Sequence, residues 1–209
     1  MRPDHIDYLV HHLKADGVSF DAGLTREEVR QVEQTFGFHF PPDLRTFLQT
    51  ALPVSDGFVP WRWGIRNADI AHRITERLQV PVDGIVFDAK KNTFWLPQWG
   101  DRPVEESQRE LIARQQLISH PQLIPIYSHR YMPELPHEGG NPVFSVWGSD
   151  IIYYGYDLLS YFVHEFALPY PPGGRAPARP KHVKFWSHFD EPKDDISWGY
   201  WDGAEETES

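Results

Sequence analysis

Residues 24–53 read LTREEVRQVEQTFGFHFPPDLRTFLQTALP, and the punctuation of this stretch sets two short helices one after the other. Thr25 followed three residues later by Glu28 is a capping box, in which hydroxyl and carboxylate each accept a backbone amide that the first helical turn leaves unpaired. Val29, Val32 and Phe36 then recur on one helical face, and Gly37 can take the left-handed conformation that closes such a helix. Phe38 and Phe40 turn inward on the connection. Pro41-Pro42 opens the second helix, where a missing amide costs nothing. Leu44, Phe47, Leu48 and Ala51 form its buried face, and Pro53 drives Leu52 out of helical conformation.

Working outward toward the N-terminus, Ile6, Leu9, Val10 and Leu13 predict a short helix with His11 and His12 near its far end, followed by a loop over residues 14–23. On the other side, Trp61 and Trp63 share a face if the chain is extended, a pattern more typical of packing than of a cofactor cage. Asn67 is placed to cap a helix reaching Leu78 through Ile70 and Ile74, with Arg66, Arg73 and Arg77 off that stripe and toward solvent. Residues 81–88, PVDGIVFD, read as a turn and a short strand, continued or paired by Phe94-Trp95-Leu96. A helix is expected over residues 104–117, with Val104, Leu111, Ile112 and Leu117 inward. Residues 123–131, LIPIYSHRY, read as one strand, which Pro125 restricts to an edge or a bulge. Residues 142–146 and 151–154 flank Trp147-Gly148-Ser149-Asp150 as a hairpin, and Asp157 caps a last helix carrying Leu158, Phe162 and Phe166.

The chain has 209 residues and no cysteine, which excludes disulfides, thiolate metal sites and a cysteine nucleophile and fits a reducing cytosol. No signal-peptide core or membrane-length apolar run occurs, so a cytoplasmic protein is expected. The net charge of −10 is uneven: eight carboxylates against Lys193 give −7 from Phe185 onward and leave −3 for the preceding 184 residues. Nucleic acid is disfavoured as a partner because the lysine and arginine clusters that bind phosphates are missing. A basic protein partner is the opposite case, since an acidic face steers it in.

Candidate chemistry is sparse. Tyr127-Ser128-His129-Arg130-Tyr131, followed by Glu134, His137 and Glu138, is the densest polar run, and His129, Glu134 and His137 could serve a metal-assisted hydrolase. Their spacing matches no short ligand motif. Ser128 and His129, adjacent on a strand, are expected on opposite faces. Walker loop, dinucleotide fingerprint, HExxH helix and nucleophile elbow are all missing, so neither a catalytic site nor a cofactor or metal site is expected.

Three separate places carry a family resemblance. The Glu-x-x-Phe-Gly end of the first helix, its Phe-Pro-Pro-Asp-Leu link and the following Phe-Leu resemble the opening signature of the SUKH superfamily, which includes the fungal Smi/Knr cell-wall regulators and many bacterial toxin-immunity proteins. Asp56-Gly57 stands where that family usually has Asn-Gly. Phe94-Trp95, Trp99-Gly100 and Arg102-Pro103 are similar to its middle segment, and NPVFSV, DIIYYG and YDLLSYFVHEF to its C-terminal half. The resemblance spans about residues 24–168. It implies an α+β domain over residues 1–168, with an antiparallel or mixed sheet from about Phe58 to Tyr154 packed against helices. It also implies a non-catalytic role in protein binding: an immunity protein that neutralises a toxin, such as a basic nuclease. A housekeeping interaction module is the other non-enzymatic reading.

Residues 169–180 form a Pro/Gly-rich linker, and residues 181–209 an aromatic, acidic extension. Within the extension Trp186, Asp190, Glu191, Asp194, Asp195, Trp198 and Trp201 are the candidate partner-binding residues, because tryptophan among polar groups is the composition of a binding hot spot. The competing reading has the tryptophans pinning the extension to the domain.

Overall fold

The helical pair forms as its caps dictate in a computed structural model that describes residues 1–190. Helix α1 is Pro3–Ala15, α2 is Arg26–Phe36 and α3 is Pro42–Thr50. Thr25 and Glu28 make both bonds of the capping box, and Gly37 closes α2 at φ 73°. Glu33 of the Glu-x-x-Phe-Gly signature accepts the Phe40 amide at 3.0 Å, and Asp43 of Pro-Pro-Asp-Leu, buried, accepts the Gly140 amide at 2.6 Å. Both signature carboxylates therefore satisfy backbone donors that the helix link and a distant turn would otherwise bury unpaired.

Two short strands correct the loop expected over residues 14–23: β1 (Phe20–Ala22) pairs antiparallel with β2 (Ala51–Pro53), so Ala51 ends the helix and joins a strand. The tryptophan pair is not extended. A one-turn helix α4 (Trp61–Gly64) buries Trp61 and leaves Trp63 54% exposed. Between them Arg62 donates to Glu28 at 2.7 Å and to the carbonyls of Ala22 and Gly23 at 2.9 and 3.0 Å. The Arg62 hydrogen bond holds the Glu28 carboxyl well below the usual carboxylate range, at about 2.

The largest departure from the sequence reading is α5 (Ala68–Lys91), which runs straight through the predicted turn and strand at 81–88. Asn67 caps it as expected, accepting from the Ile70 amide at 3.0 Å. Its stripe of Ile74, Leu78, Pro81, Ile85, Val86 and Ala89 stays buried. Pro81 removes the amide that would bond the carbonyl of Arg77 four residues earlier. That carbonyl instead accepts the Tyr131 hydroxyl at 3.2 Å, so a tertiary donor replaces the missing helical one. Tyr131→Phe should therefore cost about 1–2 kcal/mol by orphaning the carbonyl, with part recovered in the Tyr131→Phe/Pro81→Ala double variant, whose position 81 again donates. Urea denaturation of the three proteins measures this; an unchanged midpoint in Tyr131→Phe would refute it.

Phe94-Trp95-Leu96 is likewise not a strand. It leads into a 3₁₀ turn, Pro97–Trp99, where Trp99 packs edge-on against both Phe94 and Trp95. Helix α6 is Glu106–Leu117, with Ala113 and Leu117 buried. Val104 and Leu111, expected inward, are exposed, because α6 lies along α5 through the Asp83–Arg114 and Lys90–Glu110 ion pairs and turns Leu111 away.

The main sheet is an antiparallel meander in the order β3 (Leu123–Tyr127), β4 (Arg130–Pro133), β5 (Val143–Trp147), β6 (Asp150–Gly155). It is shorter than expected, since Phe58 contributes only an isolated bridge to Tyr127. The predicted single strand 123–131 is a hairpin turned by Ser128 and His129, with Ser128 at φ 46°. Pro125 lies on the edge strand, beside a register shift between Pro125 and Tyr127. The β5–β6 hairpin and the Asp157-capped α7 (Leu158–Glu165) form as read.

Seven α-helices and two antiparallel sheets among the described residues make this an α+β protein. One apolar cluster joins the helical pair to α1, α7 and one face of the sheet; the other lies between the far part of α5, α6, the sheet and residues 183–186. Among the described residues no helix is long and apolar enough to cross a membrane.

Candidate functional site

The sequence-predicted partner residues divide sharply. Trp186 opens a 3₁₀ turn, Trp186–Phe189, where it is 2% exposed and donates its indole N–H to the Pro121 carbonyl at 2.7 Å. With Val183 and Phe185 it belongs to the second core and presents no surface to a partner. Asp190 is exposed at the end of that turn, and partial burial raises its carboxyl pKa despite a bond from the Tyr153 amide. Glu191, Asp194, Asp195, Trp198 and Trp201 lie outside the described residues.

The hydrolase residues are not assembled. His129 sits in the β3–β4 turn, Glu134 accepts the His39 amide at 2.7 Å, and His137 packs near the His39 ring. Among the described residues no group of three or more histidines and carboxylates is placed to hold a metal ion. Ser128 and His129 are on the same side after all: the tight turn brings Ser128 Oγ to 3.1 Å from His129 Nδ1, and the imidazole meets the Trp147 ring edge-on.

That turn is the centre of the chemically richest face of the molecule. On one side of it lies a cleft of about 430 Å³, built where four separated segments meet. The end of α1 contributes Asp16 to Val18, the segment after β2 contributes Ser55, Asp56 and Phe58, β3 contributes Tyr127, and the end of α7 contributes Glu165 and Phe166. The segments are pinned together. Ser19 N–H donates to Ser55 Oγ at 2.7 Å, and Ser128 N–H donates to the Gly57 carbonyl at 2.9 Å. Arg77, expected in solvent, turns inward and donates to the carbonyls of Gly57 and Ser128 at 2.9 and 2.6 Å. Gly57 has φ 92°, and a Cβ there would overlap the Tyr127 ring, so both the turn and the cleft wall require glycine. Phe58, Tyr127 and Phe166 contact one another with ring centres 4.7 to 6.2 Å apart.

The cleft lining carries three carboxylates, Asp16, Asp56 and Glu165. Glu165 is engaged by Arg130, whose Nε donates at 2.8 Å while a terminal nitrogen reaches Ser145 Oγ at 2.8 Å and the guanidinium lies 3.5 Å from the Tyr154 ring centre. Asp16 and Asp56 are exposed, and among the described residues neither has an ion-pair partner. Asp16 also caps the C-terminal end of α1, and Glu165 is the last residue of α7; both are positions where the helix dipole adds partial negative charge and favours cations. One turn before Glu165 the Tyr161 hydroxyl is buried without a hydrogen-bond partner, and burial raises its pKa well above the ordinary phenol value, so it stays protonated.

On the other side of the turn lies an apolar patch. Gly84 of α5 meets Gly148 so closely that an added Cβ would sit 2.9 Å from Gly148 Cα, and Asp88 accepts the Ser149 amide at 2.7 Å. Flanking this contact, Val80, Phe87 and Trp147 are 45%, 59% and 76% exposed. The His129–Trp147 contact joins patch to turn, and Tyr127 joins turn to cleft. Sequence reasoning missed every cleft residue as a site, and treated Trp147 only as part of a hairpin turn.

The fold and the site together define the class as α+β with an aromatic, acidic surface. No family model matches the chain, and no curated protein or solved structure matches it either.

Proposed function

We propose that this chain is a non-catalytic protein-binding domain of the SUKH type, acting as an immunity protein that occupies a basic toxin domain such as a nuclease. The observation that carries the reading is the face around the β3–β4 turn, where three large apolar side chains, Val80, Phe87 and Trp147, stand exposed beside a cleft lined by Asp16 and Asp56, which have no ion-pair partner among the described residues. Exposed apolar side chains clustered at a rigid contact, with charge at the margin, are the make-up of an interface centre and its polar rim. The three-part resemblance of the sequence to the SUKH superfamily supports the same reading, and the overall charge of −10 suits a basic partner. The acidic extension adds to the long-range attraction.

The test begins with whether a toxin domain is encoded beside this chain, and continues with calorimetric titration of the chain with the inactivated form of that domain. Wild type should bind with an affinity that falls as salt rises. Trp147→Ala should weaken binding about 30-fold or more, the effect of removing a hot-spot tryptophan, while changing stability by no more than about 0.5 kcal/mol because the ring is exposed. Binding that survives Trp147→Ala and Phe87→Ala together would place the interface elsewhere. No binding to the neighbouring toxin would remove the immunity reading.

A further inference from the structure

We infer that the outward face of α6 is a self-association surface, on which a second copy of this chain packs its own α6 antiparallel about a two-fold axis at Leu111. The inference goes beyond the immunity reading and does not depend on it. α6 is apolar on two sides. Ala113 and Leu117 are buried in the second core, yet Leu111 lies on the opposite side and is 58% exposed. Ile118, one heptad beyond it, is 83% exposed, and Val104, an equal distance before it, is 91% exposed. A surface helix normally turns polar residues outward, and a seven-residue spacing keeps apolar side chains on one seam. At 1.5 Å per residue the row is about 20 Å long.

Charge and symmetry both select an identical chain as the occupant. Each copy carries −10, so two copies repel one another unless they meet where carboxylates are missing or already paired. α6 offers such a place. Of the neighbours one turn from Leu111 on its own face, Ser107, Gln108 and Gln115 are uncharged, and Arg114 is neutralised by Asp83 at 2.9 Å. The carboxylates of α6, Glu106 and Glu110, pair with Lys91 and Lys90 of α5. A basic partner would therefore find no unpaired carboxylate within a turn of Leu111 to draw it in. The row is also self-complementary, because Val104 and Ile118 stand seven residues on either side of Leu111. With the helices antiparallel, Leu111 meets the partner's Leu111, each Val104 meets the partner's Ile118, and each Gln108 meets the partner's Arg114. That register sets no like charges opposite one another, and an isologous contact closes at two copies. One helix per copy makes a small interface, so the dimer is weak and reversible, with a dissociation constant on the order of 10–100 μM.

Sedimentation equilibrium of the full chain, at concentrations bracketing that constant, is the test. The weight-average mass should rise from 24.4 kDa toward twice that value. It should rise more readily as salt screens the repulsion between acidic copies, the opposite of the salt response expected for a basic partner. Leu111→Glu sets a carboxylate against its own copy and should raise the dissociation constant about 30-fold or more. Melting of the dilute variant should match wild type, because the side chain is exposed. Leu111→Lys should be monomeric for the same reason. Mixing the two variants should restore association, since unlike charges then meet at the axis, and only a contact of Leu111 with its own copy predicts that rescue. A wild-type chain that stays monomeric, a dimer indifferent to Leu111→Glu, or a mixture that remains monomeric each overturn the assignment. The two readings fail separately: a monomeric chain that binds a toxin removes the dimer alone, and a dimer through α6 that binds no toxin removes the immunity reading alone.

Discussion

Replacing Phe47 by alanine should destabilise the protein by about 3–5 kcal/mol, the range for deleting a buried aromatic ring. Phe47 is wholly buried on α3, its ring centre 4.8 Å from that of Phe162 on α7 and 6.4 Å from that of Phe20 on β1. It therefore ties α3 to two other elements, α7 and β1, and no small rotation of one of them closes the space its ring would leave. In a chain of this length each kcal/mol corresponds to about 2–4 °C of melting temperature, so a drop on the order of 10 °C is expected. A Phe47→Ala protein melting within a degree or two of wild type would mean that α3 does not pack as described.

Trp186→Ala should be of similar size, about 3–5 kcal/mol for the lost ring, with a further, smaller loss because the half-buried Pro121 carbonyl is left without its donor. The residue stands beyond a Pro/Gly-rich segment and would be dispensable if residues 181–209 were only an appended arm. Its burial with Val183 and Phe185 in the second core says otherwise. Deleting residues 181–209 should destabilise at least as much as the single substitution, and thermal denaturation of both variants measures it. A deletion that melts with wild type would show that the core closes without these side chains. Trp147→Ala is the internal comparison: the same side chain is removed from an exposed position, with little expected change in stability.

The features legible in the sequence are those whose cause lies within a few residues. Thr25 with Glu28, Gly37, Pro42, Asn67 and Asp157 each act on backbone groups no more than one turn away, so helix starts and stops could be read directly. The β5–β6 hairpin was legible for the same reason, through alternation and the Gly148 turn. The β3–β4 hairpin was not, because its turn uses Ser128 and His129 in place of glycine or asparagine and is held by bonds to Gly57 and Arg77 that no local pattern encodes.

By itself, then, the sequence determined the α+β class, the helical pair with its caps, and a chain of net charge −10. Tertiary structure decided the rest. Pro81 and Gly84 are local signals for a turn, yet α5 continues through both because Tyr131, 54 residues from Arg77, supplies the missing hydrogen bond and because Gly148 needs the room that Gly84 leaves. The cleft likewise has no sequence signature, since Asp16, Asp56, Tyr127 and Glu165 come from four segments and each is an ordinary residue where it stands. Only folding brings their charges and rings within range of one another, and electrostatic and stacking energies depend on distance in space, whatever the separation along the chain.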